Sequence, residues 1–164
     1  MMTNELISAI EAMDPTVLGN AAIAATTIIL TFAFIGLIRY LMFAIGYSKM
    51  YRKAGIAPWK AFIPVYNTYN NYKLSLNAQM FAISVALYVA MNTLSRHDAL
   101  ALQLVAAVAG ITLIAVMVKQ NINMAKLFGK GTGTGIALML FPGITSLILG
   151  LGKAEFQVEM IENT

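Results

Sequence analysis

The sequence predicts an all-α bundle of four transmembrane helices, with a cytosolic interfacial helical hairpin between the first two spans. Three observations predict it. Of 164 residues 59% are hydrophobic and only 11% are charged, with a mean hydropathy of +0.74. A soluble domain of this length has too little interior to hide that much apolar surface. Second, Pro15–Ile38, Leu74–Ser95, Ala99–Val118 and Gly131–Gly152 carry no charged residue. Each supplies the about 20 residues that cross a hydrocarbon core of roughly 30 Å. Third, Lys and Arg collect in the connections that follow the first and third of these stretches. Lipid-facing backbone must bond to itself, so only helices and closed barrels span, and these runs lack the alternation of barrel strands.

The chain therefore reads as one integral membrane domain, 1–164, with spans at about 15–47, 74–95, 99–128 and 134–151. An inner loop occupies 48–73, and outer tails occupy 1–14 and 152–164. Leu6, Ile7, Ile10 and Met13 recur at helical spacing, which predicts a short amphipathic helix over 3–13 on the outer surface. Asp14-Pro15 supplies a cap followed by proline at the first helical position. The first helix is longer than a span requires and contains Arg39, read as an anchor whose guanidinium snorkels to the inner headgroups. Asp98 is placed to cap the third helix, which runs to Phe128 with Gly129 as its stop. Pro142-Gly143 falls in the middle of the fourth span, where proline removes a backbone hydrogen bond and kinks the helix. Nothing at the N-terminus has the basic start of a cleavable signal, since residues 1–20 hold Glu5, Glu11 and Asp14 and no Lys or Arg.

Charge sets the orientation. Lys49, Arg52, Lys53, Lys60 and Lys73 fall in the first connection without an acid, and Lys119, Lys126 and Lys130 in the third. The N-terminal segment is acidic, the turn Ser95–Asp98 is balanced, and Lys153 is outnumbered by Glu155, Glu159 and Glu162 in the C-terminal segment. The expected location is a bacterial cytoplasmic (inner) membrane, multi-pass, with both termini outside.

Residues 48–77 are the most distinctive part of the chain. Pro58 and Pro64 each suit the first turn of a helix, predicting one at about 58–63 and another from 64 to about 74. Tyr66, Tyr69, Asn70 and Lys73 then share a face of the second. Trp59, Phe62, Tyr66, Tyr69 and Tyr72 interleave with Lys49, Arg52, Lys53, Lys60 and Lys73. Amphipathic rings with cations nearby are what an inner-leaflet interface favours, and in a membrane chain this outweighs stacking on RNA bases.

The run from Tyr51 to Asn67, YRKAGIAPWKAFIPVYN, with the run from Lys126 to Pro142, KLFGKGTGTGIALMLFP, resembles a family of small bacterial membrane proteins classed only as a domain of unknown function. The first run is also similar to the membrane region that precedes the catalytic part of some type I signal peptidases. The resemblance covers roughly residues 50–155 and implies membership without implying an activity. Thr134, where an aromatic is commoner, and the ending Gly152-Lys-Ala-Glu-Phe, where Gly-Asp-Ala-Glu-Tyr is usual, depart from the pattern.

The chemical motifs point away from catalysis. Ser48-Lys49 is the one Ser-Lys pair near a membrane boundary, but it falls on the inner side, whereas the resemblance implies an outer serine followed by a large β-rich domain. Gly129, Gly131, Gly133 and Gly135 have neither Walker nor dinucleotide-loop spacing. They read as a flexible turn, with a lipid-phosphate cradle beside Lys126 and Lys130 as the alternative. His97 is the only histidine and stands beside a single acid, and there is no cysteine, so neither a zinc site nor a thiol nucleophile is expected. Asn77, Gln79, Ser84, Asn92 and Gln103 read as interhelical hydrogen-bond partners, and Ala106-x-x-x-Gly110 as a close-packing face.

The functional expectation is a non-enzymatic membrane scaffold or accessory subunit without a cofactor. Its partners are anionic inner-leaflet lipids and other membrane proteins or a second copy, not nucleic acid. Contact residues are Arg39, Lys49, Arg52, Lys53, Trp59, Lys60, Tyr66, Tyr69, Lys73, Lys126 and Lys130. The alternative is a small transporter or channel, homo-oligomeric, using Arg39 and the Pro142-Gly143 helix break.

Overall fold

The computed structural model of the chain describes residues 14–157, and over them it is all-α. The helix expected at 3–13, and the last of the tail acids, Glu159 and Glu162, lie outside the described residues. The chain divides into two compact units, one up to Arg39 and one from Tyr40 onward.

The first unit is the start of helix α1, Pro15–Lys53, a helix of 39 residues. The Asp14 carboxylate accepts from the Thr16 N–H at 2.8 Å and from the Thr16 hydroxyl at 2.7 Å, which caps the helix as its sequence requires. These bonds, the hydroxyl's first, hold the Asp14 carboxyl below the usual carboxylate range. No residue from Pro15 to Arg39 is buried. Thr26, Thr27 and Thr31 donate their hydroxyls to the carbonyls of Ala22, Ile23 and Thr27, so these polar atoms are satisfied within the helix.

In the second unit α1 continues past the expected end at 47 to Lys53. It stops in a Schellman motif: Gly55 has φ +72°, its N–H bonds to Arg52, and the Ile56 N–H bonds to the Tyr51 carbonyl at 2.8 Å. A 3-10 segment, Pro58–Phe62, and helix α2, Pro64–Ser75, follow with a proline opening each. The Asn77 side chain caps α3, Ala78–Leu94, by accepting from the Met80 N–H. Helix α4, Leu100–Leu127, packs antiparallel to α3, with Gly110 beside Met91 and the Asn123 side chain on the Ser75 carbonyl. Ala106 and Ala109 are buried, so the small-residue face serves a neighbour in the same chain. Asp98 does not cap α4. The capping position is Ala99, held extended without a side-chain bond, and the turn is tied by Gln103 donating to the His97 carbonyl. Helix α4 ends as α1 does, with Gly129 at φ +66° and the Lys130 N–H on the Ala125 carbonyl.

The expected fourth span at 134–151 is not one kinked helix. It is two short ones, α5, Thr132–Leu140, of 9 residues and α6, Pro142–Leu151, of 10. Pro142 has no N–H to continue α5, and Phe141 leaves helical geometry at φ −129°, ψ 60°. The chain then turns back. The Gln157 N–H bonds to the Leu127 carbonyl at 2.8 Å and the Phe156 ring packs edge-on against Phe128, so the end of the described chain returns to where α5 began.

A buried cluster joins these returns: Tyr47, Met50, Tyr51, Ala61, Met124, Leu127, Phe128, Leu138 and Leu149. It concentrates at the end of the unit where α1 and α4 stop, while the rest of α4 exposes Leu104, Val105, Val108, Ile111 and Ile114.

Candidate functional site

The end of the second unit that holds this cluster also holds its polar chemistry. Helix α2 is amphipathic in an unusual sense, because the face it buries is mostly amide: Asn67, Asn70, Asn71 and Ser75, with Tyr72. That face is stable only if it is bonded. Tyr51 Oη, projecting from α1, stands 2.7 Å from the main-chain and side-chain oxygens of Asn67 and 2.8 Å from Asn71 Oδ1. A phenol has one proton, so it donates to one of these oxygens at a time. Asn67 Nδ2 donates to the Ala61 carbonyl, Asn71 Nδ2 to Asn67 Oδ1, Ser75 Oγ to the Asn71 carbonyl, and Asn123 Nδ2 to the Ser75 carbonyl. The chain of bonds links α1, the 3-10 segment, α2 and α4.

Lys53 is the second device at this end. Its ammonium donates to the carbonyls of Leu149 at 2.7 Å, Gly152 at 2.7 Å and Ala154 at 2.8 Å. These three bonds match the three donors of an ammonium and place its charge at the C-terminus of α6, where the helix dipole favours a cation.

Around this interior the sequence-predicted contact residues are distributed unevenly. Arg52, Trp59, Tyr66, Lys73, Lys126 and Lys130 are exposed, and Lys49, Lys60 and Tyr69 are half-buried. Trp59 and Tyr66 pack edge to face at 5.7 Å, and Tyr69 packs in the same way on Phe81 at 5.5 Å. The Tyr40 hydroxyl donates to the Phe62 carbonyl, tying the 3-10 segment to α1. Arg39 is exposed and belongs to the N-terminal unit, whereas Pro142 and Gly143 belong to the other. Of the face predicted on α2, Tyr66 and Lys73 point out while Asn70 is buried and bonds to the Tyr66 carbonyl.

The amide face of α2 and Tyr51 were not among the sequence candidates. The signal that marks them is the i, i+3, i+4 spacing of Asn67, Asn70 and Asn71. Two buried polar atoms, Ser84 Oγ on α3 and Gln120 Nε2 on α4, have no partner among the described residues. No cluster of three or more His, Cys, Asp or Glu able to hold a metal ion occurs among the described residues. The arrangement presents cations and aromatic rings on a rigid, internally bonded platform.

Two helices, Pro15–Lys53 and Leu100–Leu127, are long and apolar enough to cross a membrane, while α3 and α6 are shorter apolar helices. This supports a membrane location. No curated protein and no solved structure matches the chain. A family model does match, over residues 59–159, from the 3-10 segment to the chain that follows α6, and the protein belongs to that family, the family of unknown function DUF5684.

Proposed function

We propose that the protein is a non-enzymatic scaffold or accessory subunit of a bacterial cytoplasmic membrane, packing against partner membrane proteins and binding anionic lipid of the inner leaflet. The observation that carries this reading is the exposure of apolar surface on its long helices. On α4 the residues Leu104, Val108 and Ile111 are 59 to 69% exposed, and Ile23, Ile29 and Phe32 on α1 are 67 to 70% exposed. Water would not tolerate such faces on helices of this length, whereas lipid tails or another protein's spans would. The basic connections then face the cell interior, which brings Arg52, Trp59, Lys73, Lys126 and Lys130 to headgroup depth. The amide network beneath them acts as their support, and nothing in it resembles a nucleophile with its base.

The test is purification in mild detergent, with identification of the proteins and lipids retained. The expected result is an assembly larger than one chain, carrying anionic lipid. A bare monomer without retained protein or anionic lipid refutes the scaffold, and recovery from the aqueous fraction without detergent refutes the membrane reading.

A second reading, a small transporter or channel, is favoured by one observation, the break between α5 and α6 at Phe141-Pro142. Broken helices at membrane depth are a feature of many transport sites. Solute flux in proteoliposomes that disappears in Arg39→Ala would establish it over the scaffold.

A further inference from the structure

We infer that α5 and α6 form a re-entrant hairpin, which enters the membrane from the side of the basic connections, turns at Phe141-Pro142, and leaves on the same side. The inference rests on the membrane reading but not on the scaffold reading. The two helices have 9 and 10 residues, so each rises about 13 to 15 Å, roughly half of a 30 Å hydrocarbon core. Neither is long enough to cross.

The direction of each is fixed by its contacts. Helix α5 runs back along α4, because Gly135 lies against Ile122, and a Cβ on that glycine would come within 2.9 Å of the Ile122 nitrogen. Helix α6 runs parallel to the last turns of α1. A Cβ on Gly46 would stand 2.7 Å from the Leu147 nitrogen, and one on Gly150 would stand 2.6 Å from the Gly46 carbonyl and 2.8 Å from the Lys49 Cβ. Three returns then hold the exit beside the entrance. Lys53 gathers the carbonyls of Leu149, Gly152 and Ala154, Gln157 bonds to Leu127, and Phe156 packs on Phe128.

The tip suits hydrocarbon. Leu140, Phe141 and Ile144 are exposed there, and the break is partly satisfied from within. The Phe141 N–H and the Thr145 hydroxyl both donate to the Ala137 carbonyl, and the Thr145 N–H donates to the Phe141 carbonyl. Backbone departing from a helix at membrane depth is tolerated only with such partners.

The consequence is that the C-terminal segment begins, at Lys153, on the side of the basic connections, where a full fourth span would have put it on the other. The acids of that segment do not oppose this, since orientation follows Lys and Arg and acids contribute little. It also makes the C-terminal segment available to a partner in the cell interior.

The chain has no cysteine, so single-cysteine variants are unambiguous reporters. His97→Cys, Lys130→Cys and Lys153→Cys all replace exposed residues. In intact cells a membrane-impermeant maleimide is expected to label position 97, and to label positions 130 and 153 only after permeabilisation. Labelling of 130 and 153 together from outside, with 97 protected, upholds the hairpin with the orientation reversed. Labelling of 153 together with 97, while 130 is protected, overturns the hairpin and restores a fourth span. Equal labelling of all three in intact cells overturns the membrane reading and the hairpin with it.

Discussion

Tyr51 has no exposed surface, one proton and three oxygen neighbours. Tyr51→Phe keeps the ring in the cluster but leaves Asn71 Oδ1 without a donor, while Asn67 Oδ1 keeps the one from Asn71 Nδ2. An unmet buried polar group costs about 1–3 kcal/mol, so this variant is expected to unfold earlier by that amount in detergent. Asn67→Leu should cost more than Tyr51→Phe, since it also frees the Ala61 carbonyl. Unfolding midpoints of the parent and both variants in the same detergent check this, and a Tyr51→Phe midpoint equal to the parent's would refute it. The pH dependence lies with Asp14, ahead of the first span. Its carboxyl is held low by Thr16, so its capping contribution persists at neutral pH and fades as pH drops through the folded value.

Helices α5 and α6 stay docked through three glycines, Gly46, Gly135 and Gly150, and one lysine, Lys53. Gly150→Leu forces a side chain into the Gly46 carbonyl and Lys49, and overpacking of this kind costs about 1–3 kcal/mol. The response should be local: residues 142–157 should become protease-sensitive while the α3–α4 pair keeps its protection. Lys53→Met removes the three bonds to the end of α6 and is expected to open the same segment, whereas Arg52→Met, an exposed neighbour, should not. Limited proteolysis in detergent, read by mass, distinguishes these outcomes. Much of the element structure was legible because its signals are local. Asp14-Pro15, Pro58, Pro64 and Gly129 each mark a boundary by the chemistry of a single residue, and the helices begin or end within about a residue of them. Gly55 was the missed stop, because the cations Lys49, Arg52 and Lys53 read as connection before the glycine is reached, whereas α1 carries all three within its last turns. The hairpin was illegible for a different reason. An uncharged run with Pro-Gly at its centre has the same composition whether it bends and continues or bends and returns. What decides is the approach of Gly46 to Ser146 and Gly150, about 100 residues apart in the chain, which no local periodicity records. The amide face of α2 escaped for a related reason: asparagines in a polar connection read as solvent-facing until a buried phenol is found to meet them.

At the scale of the molecule, apolar exposure and cationic charge are segregated along the chain. The long apolar faces of α1 and α4 lie toward their N-terminal parts, while Arg52, Lys73, Lys126 and Lys130 sit at helix ends around the buried cluster, all exposed. All four side chains are exposed, which places their charge to face an anionic surface. A basic residue near such a surface contributes about 1 kcal/mol, and the attraction decays within a Debye length of ~8 Å at physiological salt. Replacing Arg52, Lys73, Lys126 and Lys130 by Gln should therefore weaken the preference for phosphatidylglycerol over phosphatidylcholine by at least tenfold, on the scale of about 1.4 kcal/mol per decade. Insertion and helix content should be unaffected, because the apolar faces and the amide network are untouched. Native mass spectrometry of lipid retained by the two proteins, at low and high salt, provides the measurement. The parent should lose its preference as salt rises and the variant should show little at any salt. Equal preference in both proteins would mean that the lipid is selected by the aromatic pair Trp59 and Tyr66 or by the groove between helices, and the charge argument would fall while the membrane topology stood.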